Sequence, residues 1–312
     1  MHFVIFGTGG VGGYFGGRLA QAGMDVTFIA RGKHLEAIKK NGLRVDSIKG
    51  DFSISQAVAT DDPAAVGKVD VILCCVKSWQ VSEAAMAMRP MIGPNTMVVP
   101  IQNGIEAPDI LSEVLGSDKV LGGLCRLISM THGPGHIRHV GAEPYITFGE
   151  LDNQQSERTK RLFSAFSEAS GLTVEIATDI NAALWKKFIL IAPLSGVGAV
   201  TRAPAGVFRS LPETRQLLME LMKEVFNVAI ARKIDLSKEV VEETLGFIDT
   251  LPEEGTASMQ RDIIEGRPSE LNEQNGAVVR LGNAVGIQTP VNAFVYYSLL
   301  PLEMRARGQL NF

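Results

Sequence analysis

A glycine-rich turn between an apolar run and a helical pattern constrains this chain more than any other feature. The stretch "HFVIFGTGGVGGYFGG" places Gly7, Gly9 and Gly12 at the spacing G-x-G-x-x-G. In such a turn the first glycine permits a tight bend, the second lets a diphosphate approach the backbone, and the third lets helix and strand pack closely. The helix that follows directs its unpaired N–H groups and the positive end of its dipole to the same place. We therefore predict a dinucleotide-binding loop formed by Gly7, Thr8, Gly9, Gly10, Val11 and Gly12, the alternative being a glycine-rich turn without a ligand.

The rest of the first half alternates short apolar runs with longer mixed segments. The runs "DVTFIAR", "VDVILCCVK" and "TMVVPIQNG" are typical of strands, and "VDVILCCVK" is continuous enough to be buried on both faces. Strands that alternate with helices predict an α/β fold with a parallel sheet. Around residues 124–150, strand-like pieces are separated by glycine and proline with no helix between them. There we expect antiparallel strands that close an edge of the sheet.

The second half is dominated by helical periodicity. The segments "PETRQLLMELMKEVFNVAIARK", "SKEVVEETLGFIDTL" and "SELNEQNGAVVRLGNAVG" repeat apolar residues at helical spacing. The 312 residues suffice for two domains. We expect an N-terminal Rossmann-type dinucleotide-binding domain over residues 1–178 and a mostly helical C-terminal domain over residues 179–312. The helical domain would contact substrate and could pair with a second copy, although no apolar stripe establishes a homodimer.

Composition excludes several partners. The net charge of −4 disfavours a nucleic-acid binder, because phosphate neutralisation needs a basic surface. No secretory signal is evident at the N-terminus. The apolar run after Lys187 contains Pro193 and Ser195, so we expect it to be broken and too short to cross a membrane.

The cysteines and histidines give no metal signature. Cys74, Cys75 and Cys125 lack metal-ligand spacing and are expected to be reduced thiols in a cytoplasmic protein. In "THGPGHIRH" the Gly-Pro-Gly between His132 and His136 rules out a helix and predicts a hairpin turn, across which the two histidines could face each other. A metal site there, with His139, is not expected.

The end of the second strand indicates which dinucleotide is bound. In "FIARGK" no acid is available for ribose hydroxyls, and Arg31 stands nineteen residues after Gly12. A guanidinium suits a 2′-phosphate, which an acid would repel. We therefore predict NADP(H) as cofactor, the alternative being a solvated arginine at a strand end.

Motifs along nearly the whole chain resemble one enzyme family. The glycine loop with "VTFIARG", followed by "CVKSWQV", "IQNGI", "LWKKF" and "SMQRDIIEGRPSELNEQNG", is similar to the ketopantoate reductases (2-dehydropantoate 2-reductases) in order and spacing. The resemblance implies a Rossmann domain, a helical domain and NADPH. It also implies reduction of a small-molecule 2-keto acid to the 2-hydroxy acid on the pathway to pantothenate.

The resemblance also implies roles for individual residues. Arg31 and Lys77 would hold the 2′-phosphate, and Gln80 would lie near the cofactor. Asn103 would contact the substrate, the cofactor and the catalytic lysine, and Lys187 would be the general acid. Ser258 would bind the substrate carboxylate, and Glu270 would act in catalysis by orienting the site.

Each of these residues also has an ordinary structural interpretation. Both Lys186 and Lys187 have apolar neighbours at helical spacing, so either could extend its ammonium group to water and spacing does not choose between them. Asn103 could belong to an Asn-Gly turn, and Ser258 could cap a helix. Glu270 could occupy a first helical turn, where an acid favours the helix dipole.

Two positions depart from the family pattern. The asparagines that usually follow the lysine by four and eight residues are Ile191 and Ser195 here. These substrate-binding positions should give a less polar pocket, and hence either a relaxed 2-keto acid reductase or a more apolar substrate. The alternatives from other classes are a non-catalytic NADP sensor and a related dehydrogenase that acts on a 3-hydroxyacid.

Overall fold

The computed structural model describes the backbone of residues 1–312 and every side chain except that of Ala142. The chain forms two compact units. The first comprises residues 1–102 and 107–180, and the second comprises residues 103–106 and 181–312. The strands of the described structure lie in the first unit, and the second unit is helical.

The first unit contains a five-stranded sheet in which every pairing is parallel. Its strand order is β5-β2-β1-β6-β7. The strands are β1 (His2–Phe6), β2 (Asp25–Ile29), β5 (Val58–Thr60), β6 (Val71–Cys74) and β7 (Met97–Pro100). Strands β6 and β7 are buried at every position, as their continuous apolar sequences predict. The predicted α/β fold with a parallel sheet is confirmed.

A second sheet accounts for the remaining strands. These are β3 (Leu43–Ser47), β4 (Phe52–Ile54), β8 (Gly122–Gly133), β9 (His136–Gly149) and β10 (Thr173–Ile176). Strand β9 pairs antiparallel with β8 and parallel with both β3 and β10. The expectation that these strands close an edge of the parallel sheet is wrong. They belong to a separate sheet, in which β9 pairs with β3, β8 and β10. The predicted hairpin turn is confirmed, and the rings of His132 and His136 lie 5.0 Å apart across it.

Helices connect the strands of the first unit. They are α1 (Gly10–Gln21), α2 (Gly32–Asn41), α3 (Val81–Met88), α4 (Ala107–Leu115) and α5 (Glu157–Ser167). Helix α1 lies between the two sheets, which explains its glycine content. A Cβ on Gly16 would lie 2.4 Å from Ile5 in one sheet, and a Cβ on Gly13 would lie 2.6 Å from Ile137 in the other.

The second unit packs seven helices around a core of its own. They are α6 (Ile180–Thr201), α7 (Ala205–Ser210), α8 (Pro212–Ala231), α9 (Val240–Asp249), α10 (Ser258–Ile264), α11 (Asn275–Ala284) and α12 (Pro290–Ala306). Buried side chains from α6, α8 and α12, such as Ile189, Leu221 and Val295, meet in this core. The helical character predicted for this half of the chain is confirmed.

Helix α6 corrects one expectation. Pro193 does not break the apolar run, because the helix continues without interruption from Ile180 to Thr201. By length and composition alone α6 could cross a membrane, but 61% of its most apolar window is buried inside the protein. This burial is that of a core helix.

Helix α11 begins later than the sequence pattern indicates. Residues 271–274 form turns, and the helix starts at Asn275. The preceding Ser269 is held by the buried carboxylate of Glu303, to which its N–H donates at 3.0 Å and its hydroxyl at 2.5 Å. These contacts fix the backbone in a conformation that local periodicity cannot indicate.

Candidate cofactor and substrate sites

The glycine loop follows the central strand of the parallel sheet and has the shape that a diphosphate requires. Gly7 adopts a φ of +103°, and a Cβ on Gly12 would lie 2.1 Å from the Gly7 carbonyl oxygen. A Cβ on Gly9 would meet nothing within 4 Å, so the backbone at Gly9 is open to a ligand. Helix α1 begins directly after Gly9, and no described side chain caps its first N–H groups. The loop therefore fits an anionic diphosphate.

Thr8, Gly10 and Val11 have structural tasks in this loop. The Thr8 hydroxyl donates to the Ile29 carbonyl oxygen at 2.9 Å, which anchors the loop to the end of β2. A Cβ on Gly10 would lie 2.4 Å from the Ser129 carbonyl oxygen, so close approach of β8 accounts for this glycine. Val11 is half-buried and packs against the core of the first unit.

Two cationic side chains follow the two strands that flank β1, at the same edge of the sheet. Arg31 comes after β2 and immediately precedes α2, and Lys77 comes after β6. Because β2, β1 and β6 are adjacent and parallel, these residues and the glycine loop share the carboxyl edge where open α/β sheets bind ligands. The open loop and the two nearby cations fit an anionic dinucleotide.

Neighbouring side chains restrain both cations. The Arg31 guanidinium forms an ion pair with Glu83 at 3.3 Å, and both side chains are 67% exposed. The Lys77 ammonium lies 5.6 Å from the centre of the Trp79 ring. Gln80 accepts a hydrogen bond from the Lys77 backbone N–H at 3.3 Å, which closes the turn before α3. Sequence reasoning did not identify Glu83.

In the helical unit, Asn103 and Glu270 meet although they are 167 positions apart in sequence. The Asn103 amide donates to the Glu270 carboxylate at 3.5 Å, and Gln274 donates to the same oxygen at 3.4 Å. Glu270 is buried and precedes α11 by five residues, so the interpretation as a first-turn acid is wrong. The structure thus brings together two residues that the sequence motifs suggested.

The short segment that carries Asn103 is tied to the helical unit. Gly104 has a φ of +107°, and a Cβ on it would lie 3.0 Å from the Glu273 carbonyl oxygen. Glu106 forms an ion pair with Arg280 at 2.6 Å. These contacts place Asn103 beside the turns that precede α11.

The two lysines of α6 differ in their surroundings. Lys186 is 60% exposed and forms an ion pair with Glu243 at 3.1 Å. Lys187 is half-buried and makes no hydrogen bond or ion pair with any described residue. Sequence spacing did not distinguish the two lysines, but their tertiary contacts do. The Lys186 ammonium group is paired with Glu243, whereas the Lys187 ammonium group is free to bind a ligand.

The remaining candidate residues lie on α6 and α10. Ile191 is half-buried, and Ser195 is fully buried with a hydroxyl that has no hydrogen-bond partner among the described residues. Ser258 is the first residue of α10, and Ala257 occupies the cap position, so the helix-cap interpretation of Ser258 is wrong. Ser258 makes no hydrogen bond to Asn103, Lys187 or Glu270 in the described structure.

Sequence reasoning missed a group of buried acceptors directly after Glu270. Glu273 Oε2, Gln274 Oε1 and Asn275 Oδ1 are buried without a hydrogen-bond partner among the described residues. Burial raises the pKa of the Glu273 carboxyl, an effect that the hydrogen bond from Asn272 opposes. Buried acceptors without donors indicate bound water or ligand. The polar run "ELNEQN" ahead of an apolar helix was the available signal.

Comparison with known proteins identifies relatives along the whole chain. The family model described as ketopantoate reductase PanE/ApbA matches residues 3–153, and its C-terminal counterpart matches residues 179–303. A 2-dehydropantoate 2-reductase from Nostoc sp. is 30% identical, with 99% of this chain and 97% of the relative aligned. An uncharacterized oxidoreductase from Bacillus subtilis is 29% identical, with 96% of this chain and 98% of the relative aligned.

A solved structure matches the fold over the same extent. It is a PanE/ApbA family ketopantoate reductase from Ralstonia eutropha JMP134, which is 32% identical. The superposition covers 98% of this chain and 100% of that chain with a TM-score of 0.90.

Proposed function

Because the chain belongs to the ketopantoate reductase family, we propose that it is an NADP(H)-dependent oxidoreductase that reduces ketopantoate or a related 2-keto acid to the 2-hydroxy acid. The observation that carries this proposal is the half-buried Lys187, whose ammonium group has no partner among the described residues while the adjacent Lys186 is paired. A positioned proton donor is what reduction of a carbonyl requires from the protein.

Lys187 is the general acid of the proposed reaction. The reduced nicotinamide supplies the hydride, and negative charge grows on the carbonyl oxygen as the hydride reaches carbon. Lys187 holds a proton on Nζ and passes it to that oxygen.

Asn103 and Glu270 orient the substrate. The carboxylate of Glu270 accepts hydrogen bonds from Asn103 and Gln274, which fixes the Asn103 amide in one orientation. Ser258 is the proposed partner of the substrate carboxylate, and its half-buried hydroxyl is not consumed by capping α10.

The first unit binds the cofactor in this proposal. The glycine loop accepts the diphosphate, and Arg31 and Lys77 neutralise the 2′-phosphate by charge-assisted hydrogen bonds. Gln80 supports this site by holding the Lys77 backbone. The thiols of Cys74, Cys75 and Cys125 fit a reducing compartment, and we place the enzyme in the cytoplasm.

The substrate site is less polar than that of the family. Ile191 and Ser195 replace two amides, so a hydroxyl at the far end of ketopantoate loses potential partners. We therefore expect comparable turnover of ketopantoate and 2-ketoisovalerate, because a site without a hydrogen-bond partner loses discrimination rather than chemistry. A preference for ketopantoate of several hundredfold would contradict this part of the proposal.

The test is NADPH oxidation with ketopantoate and a panel of other keto acids, using wild type, Lys187→Ala and the matched control Lys186→Ala. We expect Lys187→Ala to lower kcat about 10²- to 10⁴-fold, as for loss of a general acid, and Lys186→Ala to retain activity. Equal effects of the two substitutions would argue against Lys187 as the acid. Tight NADPH binding without turnover of any keto acid would favour a sensor, and turnover of 3-keto acids alone would favour a 3-hydroxyacid dehydrogenase.

A further inference from the structure

The cation proposed for the 2′-phosphate already has an anionic partner. We propose that Glu83 sets coenzyme preference by competing with the 2′-phosphate for Arg31, so that the protein uses NADH as well as NADPH. This inference rests on the proposed cofactor site and specifies which dinucleotides that site accepts. The observation is the ion pair between Arg31 Nη2 and Glu83 Oε1 at 3.3 Å.

Glu83 lies at the carboxyl edge of the parallel sheet. It occupies the first turn of α3, where the positive end of the helix dipole favours an acid. Arg31 lies at the N-terminus of α2, 52 positions earlier in sequence. The proposed phosphate site therefore holds two cations, Arg31 and Lys77, and one carboxylate that touches the first of them.

The charges predict opposite consequences for the two dinucleotides. A phosphate monoester carries a charge of about −1.5 to −2 at pH 7, so it must displace Glu83 from Arg31 and then tolerate a nearby carboxylate. NADH has a neutral hydroxyl at the same position and meets no such repulsion. A carboxylate near that hydroxyl can accept its hydrogen bond, as the acid at the end of the second strand does in NAD sites.

The solvent exposure of Arg31 and Glu83 limits the effect of Glu83 on NADPH binding. Both side chains are 67% exposed, and exposed ion pairs are weak and sensitive to salt. Glu83 should therefore moderate the preference for NADPH without abolishing it. Removal of its charge should tighten NADPH binding about three- to tenfold, counting release of Arg31 and loss of repulsion together.

The experiment measures binding alone, by fluorescence titration of NADPH and NADH against wild type and Glu83→Gln. Glu36→Gln is the matched control, because Glu36 is exposed on α2 and forms no ion pair with a described residue. We expect Glu83→Gln to lower the Kd of NADPH about three- to tenfold, to leave or raise that of NADH, and to lose this effect as salt rises from about 0.05 M to about 0.5 M. In an Arg31→Ala background, Glu83→Gln should tighten NADPH binding less than it does in wild type, because only the repulsion between Glu83 and the 2′-phosphate is then removed.

The outcomes separate this inference from the proposed function. An unchanged ratio of NADPH to NADH affinity in Glu83→Gln overturns the role of Glu83 and leaves the proposed function intact. An equal gain in Glu36→Gln also overturns it, because the effect would then come from net charge. Failure of wild type to bind either dinucleotide overturns the proposed function together with this inference.

Discussion

At the scale of single residues, partners distinguish side chains that the sequence presents as equivalent. Lys186 and Lys187 are adjacent and chemically identical, yet one is paired with Glu243 and the other has no partner among the described residues. Glu270 and Glu273 are three positions apart, yet one accepts two amide hydrogen bonds and the other keeps a buried, unpartnered oxygen. Such differences decide which group can bind or react.

Glu273 should make stability depend on pH. Burial raises the pKa of its carboxyl, so the folded state binds the proton more tightly than the unfolded state does. Stability should therefore fall as pH rises through the interval between the unfolded and folded pKa values. We expect Glu273→Gln, which removes the charge and keeps the shape, to raise the Tm at pH 7, with a smaller gain below about pH 4.

The control for this prediction is Glu254→Gln, at an exposed residue without a described hydrogen bond or ion pair. Thermal scans of both variants at the two pH values provide the comparison. A fall in Tm for Glu273→Gln at pH 7 would show that the ionised carboxylate stabilises the fold, contrary to the argument from burial.

At the scale of elements, α1 shows how a binding motif also serves packing. Its glycines leave the backbone open to the proposed diphosphate at one end and let two sheets approach along its length. The sequence pattern "GTGGVGGYFGG" therefore satisfies two constraints, access for a diphosphate and close packing of two sheets. The first is evident from motif spacing. The second depends on β8 and β9, which lie more than a hundred positions later.

A methyl group added to α1 should be costly where the backbone is close. A Cβ on Gly12 would lie 2.1 Å from the Gly7 carbonyl oxygen, so we expect Gly12→Ala to destabilise the protein by about 1–3 kcal/mol and to weaken NADPH binding. The matched control is Gly246→Ala in α9, where a Cβ meets nothing within 4 Å. That change should stabilise the protein by about 0.5–1 kcal/mol, because alanine favours a helix interior.

Urea denaturation of the two variants measures both effects. The free energies of unfolding should change in opposite directions. A neutral Gly12→Ala variant with unchanged NADPH affinity would mean that the loop relaxes without cost, and the close-packing account of Gly12 would be wrong.

At the scale of the whole molecule, each unit has its own hydrophobic core. The proposed cofactor residues belong to the first unit, and the proposed acid and substrate residues belong to the second. Residues 103–106 are an exception to chain order. They belong to the second unit, although the segments before and after them belong to the first. Proposed binding and catalysis are thus divided between two separately packed parts of the chain.

Cofactor binding should stabilise the intact protein. A ligand that binds only the folded state at about 100 times its Kd adds about 2.7 kcal/mol. We therefore expect NADPH at that concentration to raise the Tm, and the gain at the same NADPH concentration to be smaller for Arg31→Ala. An unchanged Tm at every NADPH concentration would contradict the proposed cofactor.

The sequence by itself determined four strands of the parallel sheet (β1, β2, β6 and β7), the glycine loop and the helical second half. These features follow from local periodicity and from backbone constraints that neighbouring residues impose. Local patterns gave wrong predictions where long-range contacts determine the structure. The start of α11 depends on Glu303, which binds Ser269, and the pairing of β9 depends on strands distant in sequence.

Only the tertiary structure decided which chemically similar residues acquire partners. Arg31 meets Glu83 across 52 positions, and Asn103 meets Glu270 across 167. The partner of a charged or amide group lies wherever the fold brings an opposite group within hydrogen-bond distance, and spacing along the chain carries no record of that distance. The glycine loop was therefore evident from the sequence, whereas the carboxylate proposed to set coenzyme preference was not.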